Sequence, residues 1–478
     1  MSDNPYNTVP YATLPQQQTH PARMGAIATL MGMQPEPVTQ CRMLEIGCGN
    51  GANLIPMAAA LPESQFVGVD LAEDAIVAAH QNVAALGLEN IRFVAGDLRD
   101  IDESYGEFDY IAAHGVYSWV PDAIRDALLA VCRSRLSPSG VVFISYNAYP
   151  GAHVLQMFRG MMLYHSRHHE EAADRIERSR WLMKYLLESN NLTTAWAGML
   201  QEVGKTILER NSGGIFHDDL SDSNNPFYFR DFMAHARRHS LQFVGESEVS
   251  VNYDPKGVLA GMEQQVPAPD RIEREQYMDF LRLRRFRQTL LCRDEVKLDP
   301  EPDARHFDRL LFSAELRVTD DRLEGRTGSC TIMNDSVRSV AAALNARHPR
   351  PIGFDELLPF TDGPDALRDI LLGLVHAGFT DVHTFGYPCE TSVSSKPRGL
   401  RLARYQATQS EFVTNACHIP VKLDEVGRCI LYLLDGSRTA PEVAEALAIT
   451  PQHPPVEQIA AHLPESFVWM AKHALLEG

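Results

Sequence analysis

The sequence contains Leu44-Glu45-Ile46-Gly47-Cys48-Gly49-Asn50-Gly51 between an apolar run and a helical pattern. Glycine permits backbone angles that are closed to other residues, and it lets the chain approach a ligand closely. The spacing here is Gly-x-Gly-x-Gly, whereas a dinucleotide-binding turn requires Gly-x-Gly-x-x-Gly and position 52 is alanine. The stretch therefore predicts a nucleotide-type site at a strand-to-helix turn that does not have to hold a pyrophosphate.

Short apolar runs alternate with helical patterns on both sides of this turn, from Cys41 to Asn147. Such alternation is typical of βαβ units and a mostly parallel sheet. The predicted strands are 42–46, 65–69, 91–94, 108–112 and 140–146. The predicted helices are 52–60, 72–86 and 122–136, with a turn at 137–140.

The pattern becomes purely helical over residues 151–214, which predicts a helical insertion. A helix at 229–239 and strands at 241–251 and 287–293 then indicate that the sheet resumes. Two later blocks of short helices and apolar segments suit winged-helix-like modules, separated by a linker at 390–399. We therefore expect an α/β protein with a doubly wound, Rossmann-like core that is discontinuous in sequence. The predicted domains are the core at 41–150 and 215–298, the insertion at 151–214, and smaller α+β domains at 299–400 and 401–478.

Acidic residues follow the strands in register: Glu45 precedes the first glycine, Asp70 closes the second strand, and Gly96-Asp97 closes the third. A carboxylate at Asp70 is placed to accept from ribose hydroxyls. One such motif alone could belong to another α/β fold, but three in register resemble the class I S-adenosylmethionine-dependent methyltransferases. The resemblance implies S-adenosyl-L-methionine as cofactor, with Glu45 and Gly47 near its methionine part, Asp70 on the ribose and Asp97 with Leu98 at the adenine. The full predicted cofactor set is Glu45, Gly47, Cys48, Gly49, Asn50, Asp70, Leu71, Gly96, Asp97, Leu98, His114 and Gly115.

The methyl acceptor is expected beyond the fourth and fifth strands, because ligands bind at the carboxyl ends of strands in open α/β sheets. These segments are aromatic, and a π face stabilises a nearby cation by about 0.5–2 kcal/mol, which suits an amine acceptor. Tyr117 and Trp119 could instead simply pack under the helix that follows, and His114 could contact cofactor, act as a base or be structural. No single catalytic residue is assigned. The candidate acceptor-site residues are His114, Tyr117, Trp119, Asn147 and Tyr149.

Composition excludes several other classes of function. The 478 residues carry a formal net charge of -18, which argues against nucleic-acid binding because that needs a basic face. No apolar run approaches the roughly 20 residues that cross a bilayer, and no secretory signal begins the sequence, so we expect a cytoplasmic protein without a membrane span. The histidines near His165 are expected on a polar helix face and His217-Asp218-Asp219 in a solvated loop, so no metal is assigned.

Segments outside the core extend the resemblance over nearly the whole chain. They are 6–11, 19–21, 114–119, 149–151, 226–229 and 287–292. Together they resemble methyltransferases with a methyltransferase regulatory domain, a group that includes the rickettsial protein lysine methyltransferases of outer-membrane proteins. The resemblance implies that residues 1–40 cover the active site, that the insertion dimerises the chain, and that a protein, possibly an outer-membrane or surface protein, is methylated on lysine. Two alternatives stay open: a small-molecule methyltransferase with extra domains that dimerise and cover the site, and a non-catalytic cofactor-binding sensor or scaffold.

The placement of the ribose gives a first prediction. Replacing Asp70 by alanine removes the carboxylate that should accept from the ribose hydroxyls, so we expect Asp70→Ala to abolish cofactor binding in titration calorimetry. The circular dichroism spectrum should be unchanged, since no core residue is lost. An unaltered affinity would contradict the placement.

Overall fold

The centre of the protein is a seven-stranded sheet, seen in a computed structural model that describes residues 9, 13–189, 194–253, 270–448 and 456–477. Its strands are β1 (Arg42–Ile46), β2 (Gln65–Asp70), β3 (Ile91–Ala95), β4 (Phe108–Ala113), β5 (Leu136–Asn147), β6 (Leu241–Glu246) and β7 (Phe286–Arg293). The spatial order is β3-β2-β1-β4-β5-β7-β6, in which β1 to β5 are parallel and β7 is antiparallel to both neighbours. The order reverses between β1 and β4, which is where an open α/β sheet binds its ligands. This confirms the predicted doubly wound core and its resumption after the insertion.

Helices cover both faces of the sheet and build the other parts of the chain. A typical one is the helix after β2, which begins with Glu73 and Asp74 and ends at Gly87 in a left-handed conformation, because acidic side chains favour a helix start and glycine a helix end. In chain order the helices are α1 (Pro21–Leu30), α2 (Leu54–Ala60), α3 (Glu73–Leu86), α4 (Asp122–Arg135), α5 (Ala152–Ser166), α6 (Ala172–Ser189), α7 (Ala195–Met199), α8 (Lys205–Glu209), α9 (Ser212–Gly214), α10 (Phe229–Arg238), α11 (Arg271–Arg282), α12 (Asp335–Arg347), α13 (Phe354–Leu357), α14 (Pro364–His376), α15 (Arg401–Ala407), α16 (Glu425–Leu433), α17 (Ala440–Ala448) and α18 (Val456–Lys472).

The two faces of the sheet belong to two different hydrophobic cores. Leu44 and Ile46 of β1 point to the face that α4 and α10 cover. Met43, on the opposite face, joins a core that includes α1 and α2 and continues to Phe312 and Leu344 in the middle of the chain. The middle domain therefore shares its core with the cofactor domain and is not an independent unit.

Helix α1 is the element that joins these parts, because all ten of its residues are buried. Apart from Arg23 and Thr29, its residues are apolar on every side, as expected for a helix without a solvent face. The buried cation Arg23 pairs with Asp381 at 3.1 Å and Glu248 at 3.6 Å. Residues 1–40 were predicted to cover the active site. Within this range, α1 lies inside the core. The residues from Thr13 to His20 lie near the glycine turn.

A buried ion network fixes the last strands of the sheet. Arg287 of β7 is fully buried, and its guanidinium donates to Asp279 of α11 at 2.8 and 2.9 Å, to Glu246 of β6 at 2.7 Å and to Glu275 at 2.9 Å. The same guanidinium lies 3.8 Å from the ring centroid of Phe229. One cation thereby connects two strands and two helices.

Several predicted boundaries were wrong. Residues 137–140 belong to β5, where the pairing with β4 shifts register, and do not form a free turn. Strand β6 ends at Glu246, so the predicted strand 241–251 was too long. The insertion continues beyond 214, because Ile215 and Leu220 are buried in its own hydrophobic cluster. Its predicted role in dimerisation stays a prediction, although Trp181 and Tyr185 stack on its surface with half of each side chain exposed.

The two C-terminal parts contain short strands between helices, as predicted. The strands are β8 (Leu311–Ser313), β9 (Arg317–Val318), β10 (Arg322–Gly325), β11 (Gly328–Thr331), β12 (Ile352–Gly353), β13 (Asp381–His383), β14 (Phe412–Thr414) and β15 (Pro420–Lys422). Arg398 and Gly399 of the predicted linker form bridges to Asp435 and Leu476, so this segment is bound to the last domain. None of the helices in the described part of the chain is long and apolar enough to cross a membrane.

The Arg287 network gives a prediction for stability. Arg287→Met should lower the free energy of unfolding in urea by about 3–5 kcal/mol, because it removes the buried cation at the centre of the network and leaves Asp279 and Glu246 with Arg284 alone. The matched variant Arg317→Met, at a side chain that is 78% exposed, should change it by less than about 1 kcal/mol. Equal effects of the two variants would contradict the role assigned to the network.

Candidate active site

The glycine turn after β1 has the backbone geometry that its sequence predicts. Gly47, Gly49 and Gly51 have φ angles of 78°, 53° and 77°, in the region that favours glycine. A Cβ atom at Gly51 would lie 2.5 Å from Cζ of Phe93. The turn therefore brings bare backbone to the carboxyl end of β1, at the switch point of the sheet.

Asp70 holds this turn against the end of β2. Its carboxylate accepts from the backbone N–H of Gly49 and of Ala72, both at 2.8 Å. Each carboxylate oxygen can accept more than one hydrogen bond, so the side chain is fixed and still able to accept from a diol. Leu71 beside it is 65% exposed, which offers an apolar surface next to the predicted ribose position.

Asp97, which is predicted to lie at the adenine, is paired with Arg99. Its carboxylate accepts from the guanidinium of Arg99 at 2.7 and 3.0 Å and from the Arg99 backbone N–H at 2.9 Å. The hydrogen bonds from Arg99 lower the pKa of Asp97, so the group is ionised. Leu98 is buried and Gly96 half-buried beside it. The carboxylate is thereby fixed by Arg99, and both it and the neighbouring backbone stay candidates for the predicted adenine contact.

Glu45 is a buried carboxyl group beside the glycine turn. It is 3% exposed, and its Oε1 accepts from Asn53 Nδ2 at 2.7 Å. No residue in the described ranges donates to its Oε2. Burial raises the pKa of Glu45 to about 8, and the Asn53 hydrogen bond only partly opposes this.

Asn53 was missed by the sequence analysis, although it follows the glycine turn by two residues. Its side chain also donates to Thr19 Oγ1 at 2.9 Å and accepts from His418 Nε2 at 2.8 Å. The first contact comes from the N-terminal segment and the second from the last domain. Nothing local in the sequence indicates either partner, because Thr19 lies 34 residues and His418 lies 365 residues from Asn53 along the chain.

A cavity of about 200 Å³ lies beyond the ends of β4 and β5. His114, Trp119 and Asn147 of the predicted acceptor set line it, together with Gly115 of the predicted cofactor set. Phe286 also lines it, because β7 runs antiparallel and so begins where β5 ends, opposite Asn147. The sequence pattern predicted a strand that begins at residue 287, so it missed Phe286, the first residue of β7.

Tyr117 and Tyr149 do not line this cavity. Tyr117 is 1% exposed, packs against Phe227 and Phe232, and its hydroxyl bonds to His235 Nδ1 at 2.7 Å. The structure therefore supports the packing alternative for Tyr117. Tyr149 stacks on His153 with ring centroids 4.1 Å apart.

The insertion supplies the opposite wall of the cavity. Arg210 donates to both carboxylate oxygens of Asp219 at 2.8 Å, and Arg159 lies beside them. His217 and Asp219 are buried in a π-helical turn, so the expected solvated loop was wrong. The reason is tertiary: the turn packs into the insertion cluster that contains Ile215.

His114 lines the cavity as a neutral imidazole. Its Nδ1 lies 3.1 Å from Ser145 Oγ, which in turn accepts from the Gly115 backbone N–H at 2.8 Å. Burial lowers the pKa of His114 to about 4. The ring is therefore held in place and carries no charge at neutral pH.

The residues at the switch point fit S-adenosylmethionine. A buried carboxyl oxygen without a partner suits the methionine ammonium, Asp70 suits the ribose, and exposed Leu71 suits a base. Glu45, Asp70 and the glycine turn would hold the cofactor. Fold and site together define an S-adenosylmethionine-dependent methyltransferase.

Three family models match three successive parts of the chain. They are "Methyltransferase domain" at 43–140, "Predicted methyltransferase regulatory domain" at 211–293, and "PKMT, C-terminal winged helix domain" at 395–453. The uncharacterized protein RP789 of Rickettsia prowazekii is 32% identical over 473 residues, 93% of this chain and 85% of that one. RP028 of the same organism is 37% identical over 240 residues, 50% of this chain and 96% of that one. The chain belongs to the family of RP789, methyltransferases with a regulatory domain and a PKMT-type winged-helix domain.

A solved structure shows the same fold over almost the whole length. PKMT2 from Rickettsia typhi, in complex with AdoHcy, superposes with a TM-score of 0.88 at 24% identity. The match covers 98% of this chain and 100% of that one. The arrangement of core, insertion and C-terminal domains is therefore that of PKMT2.

The state of Glu45 gives a prediction for cofactor binding. At pH 7 the free protein holds a proton on Glu45, because its pKa is raised to about 8. A cofactor ammonium favours the carboxylate, so binding releases that proton and affinity should rise with pH up to about 8. Titration calorimetry from pH 6 to 8 should show the ratio of wild-type to Glu45→Gln affinity increasing, since the cofactor's own titration is common to both. A constant ratio would contradict this role.

Proposed function

We propose that the protein transfers methyl groups to lysine side-chain amines of a protein substrate. The observation that carries the proposal is the cavity beyond β4, β5 and β7, which lies between the core and the insertion. The match to a PKMT C-terminal winged helix domain supports a protein as the substrate.

The shape of the site supports a long side chain as the acceptor. A second cavity of about 210 Å³ shares Asn147, Arg210 and Phe286 with the first. The two cavities therefore adjoin along the seam between the core and the insertion. Adjoining cavities with an aromatic wall suit an extended alkyl chain that ends in an amine.

The chemistry requires a neutral amine next to the cofactor. When bound, S-adenosylmethionine supplies the methyl group on its sulfonium. Removing a proton from an amine of pKa about 10.4 at pH 7 costs roughly 4–5 kcal/mol, and burial lowers that cost because it disfavours the ammonium. The half-buried ring of Trp119 and the partly exposed ring of Phe286 supply a π-rich wall for this purpose.

Asn147 is the polar group placed to orient the amine. Its Nδ2 donates to Asn224 Oδ1 at 3.0 Å, and its backbone N–H donates to Ser118 Oγ at 2.9 Å. The side chain is thereby fixed at the end of β5. In the described part of the chain no hydrogen bond to its Oδ1 is present, so this oxygen can accept from an amine N–H and align the lone pair.

The charge of the whole chain supports a basic substrate segment. The formal net charge is -18, and an acidic surface attracts a lysine-bearing partner. An outer-membrane or surface protein is the partner class that we propose, from the resemblance to the rickettsial enzymes.

The direct test uses tritiated S-adenosylmethionine with separate soluble and outer-membrane extracts of a bacterial proteome. We expect label that is retained in protein and recovered as methyl-lysine after hydrolysis. Label in the small-molecule fraction would instead favour the small-molecule methyltransferase, and tight cofactor binding without any transfer would favour the sensor or scaffold. Either result would overturn the proposal.

The position of Asn147 predicts a specific kinetic effect. Asn147→Ala should lower kcat/KM for methyl transfer by at least about tenfold, because it removes an orienting acceptor that is worth about 1.4 kcal/mol or more. Cofactor affinity should stay the same. The matched control Asn225→Ala changes an exposed asparagine outside the cavity and should leave both quantities unchanged. Unchanged transfer in Asn147→Ala would rule out the orienting role.

A further inference from the structure

A cluster of three polar side chains joins α4 to the end of α10. Asp126 Oδ1 lies 3.2 Å from His235 Nε2 and 2.9 Å from His239 Nε2. His235 and His239 are four residues apart, so they share one face of the helix end. One ligand atom from each of the three side chains lies within 4.8 Å of the other two.

The three groups are the ligands that zinc and similar divalent metals prefer. Zinc binds imidazole nitrogen at about 2.0–2.1 Å and carboxylate oxygen at about 2.0–2.2 Å in tetrahedral geometry, which puts neighbouring ligand atoms about 3.3 Å apart. The observed separations from Asp126 approach that value. Three protein ligands on an accessible surface leave the fourth position to water.

A buried side chain fixes the orientation of one ligand. His235 Nδ1 lies 2.7 Å from the hydroxyl of Tyr117, and the Tyr117 ring is clamped between Phe227 and Phe232 at centroid distances of 5.1 and 5.0 Å. A histidine that binds metal through Nε2 donates its Nδ1–H to such a partner. Tyr117 therefore supplies the outer contact that metal-binding histidines commonly have.

Arg238 lies close to His235. It repels a cation, so we expect the moderate affinity of a surface site.

We propose that Asp126, His235 and His239 bind one divalent transition metal, with zinc as the preferred ion, in a structural site that fastens α4 to α10. Helix α4 lies in the matched methyltransferase domain and α10 in the matched regulatory domain. Asp126 and His235 are 109 residues apart in sequence. The site departs from the expectation of no metal, which considered only the groups near His165 and His217. Through Tyr117 it braces the segment between β4 and α4, which contains the cavity residue Trp119.

The test uses the untagged full chain after chelation and dialysis. We expect titration calorimetry to show one Zn²⁺ per chain, a higher Tm with Zn²⁺ than without, and Co²⁺ to give the visible absorption of a four-coordinate ion. Asp126→Asn and His239→Gln should each weaken Zn²⁺ binding at least tenfold. The control His168→Gln changes an exposed histidine elsewhere and should bind as wild type.

Two results would overturn the proposal. One is that the wild-type chain takes up no Zn²⁺, in which case the cluster is a set of histidine–aspartate hydrogen bonds only. The other is that Asp126→Asn and His239→Gln bind Zn²⁺ as the wild type does. The Tm of each metal-free variant shows that it is folded, so loss of binding is distinguishable from loss of structure.

Discussion

The side-chain amide of Asn53 uses all of its hydrogen-bonding capacity to join three parts of the chain. It donates to Glu45 and to Thr19, and it accepts from the Gln16 backbone and from His418. Glu45 is the buried carboxyl that is predicted to lie near the methionine part of the cofactor, and its position depends on this one amide. His418 reaches it from the last domain with a φ of 60°, a conformation that a residue other than glycine adopts only when its surroundings hold it there.

Because these groups are buried, each must keep its hydrogen-bond partner. Burial lowers the pKa of His418 to about 3, so it approaches Asn53 as a neutral ring. An unpaired polar group in such a place costs about 1–3 kcal/mol, which keeps the N-terminal segment and the last domain in register with the cofactor site. The same logic operates at Arg287, where one buried cation joins β6, β7 and α11. Around both centres the apolar core continues from the sheet through α1 into the middle domain.

The cofactor half of the site could be predicted because its signals are local. Glycines at 47, 49 and 51 and the carboxylate at Asp70 lie at strand ends, and strand ends follow from short-range patterning. Of the five residues predicted for the acceptor site, three line the cavity. These are His114, Trp119 and Asn147. Tyr117 is instead buried, because its hydroxyl bonds to His235 and its ring packs against two phenylalanine rings. Phe286 was not predicted, because its position depends on an antiparallel strand that follows a long insertion in the sequence.

The sequence by itself determined the parallel strands, the glycine turn, the acidic residues that follow the strands, and so the class of cofactor. These depend on backbone preferences and on side-chain alternation over a few residues. Only the tertiary structure decided which residues meet across the seams: His418 with Asn53, the insertion wall with Asn147, and Asp126 with the histidines of α10. Such pairs lie far apart along the chain, and their meeting is set by how whole elements pack, which no local pattern records.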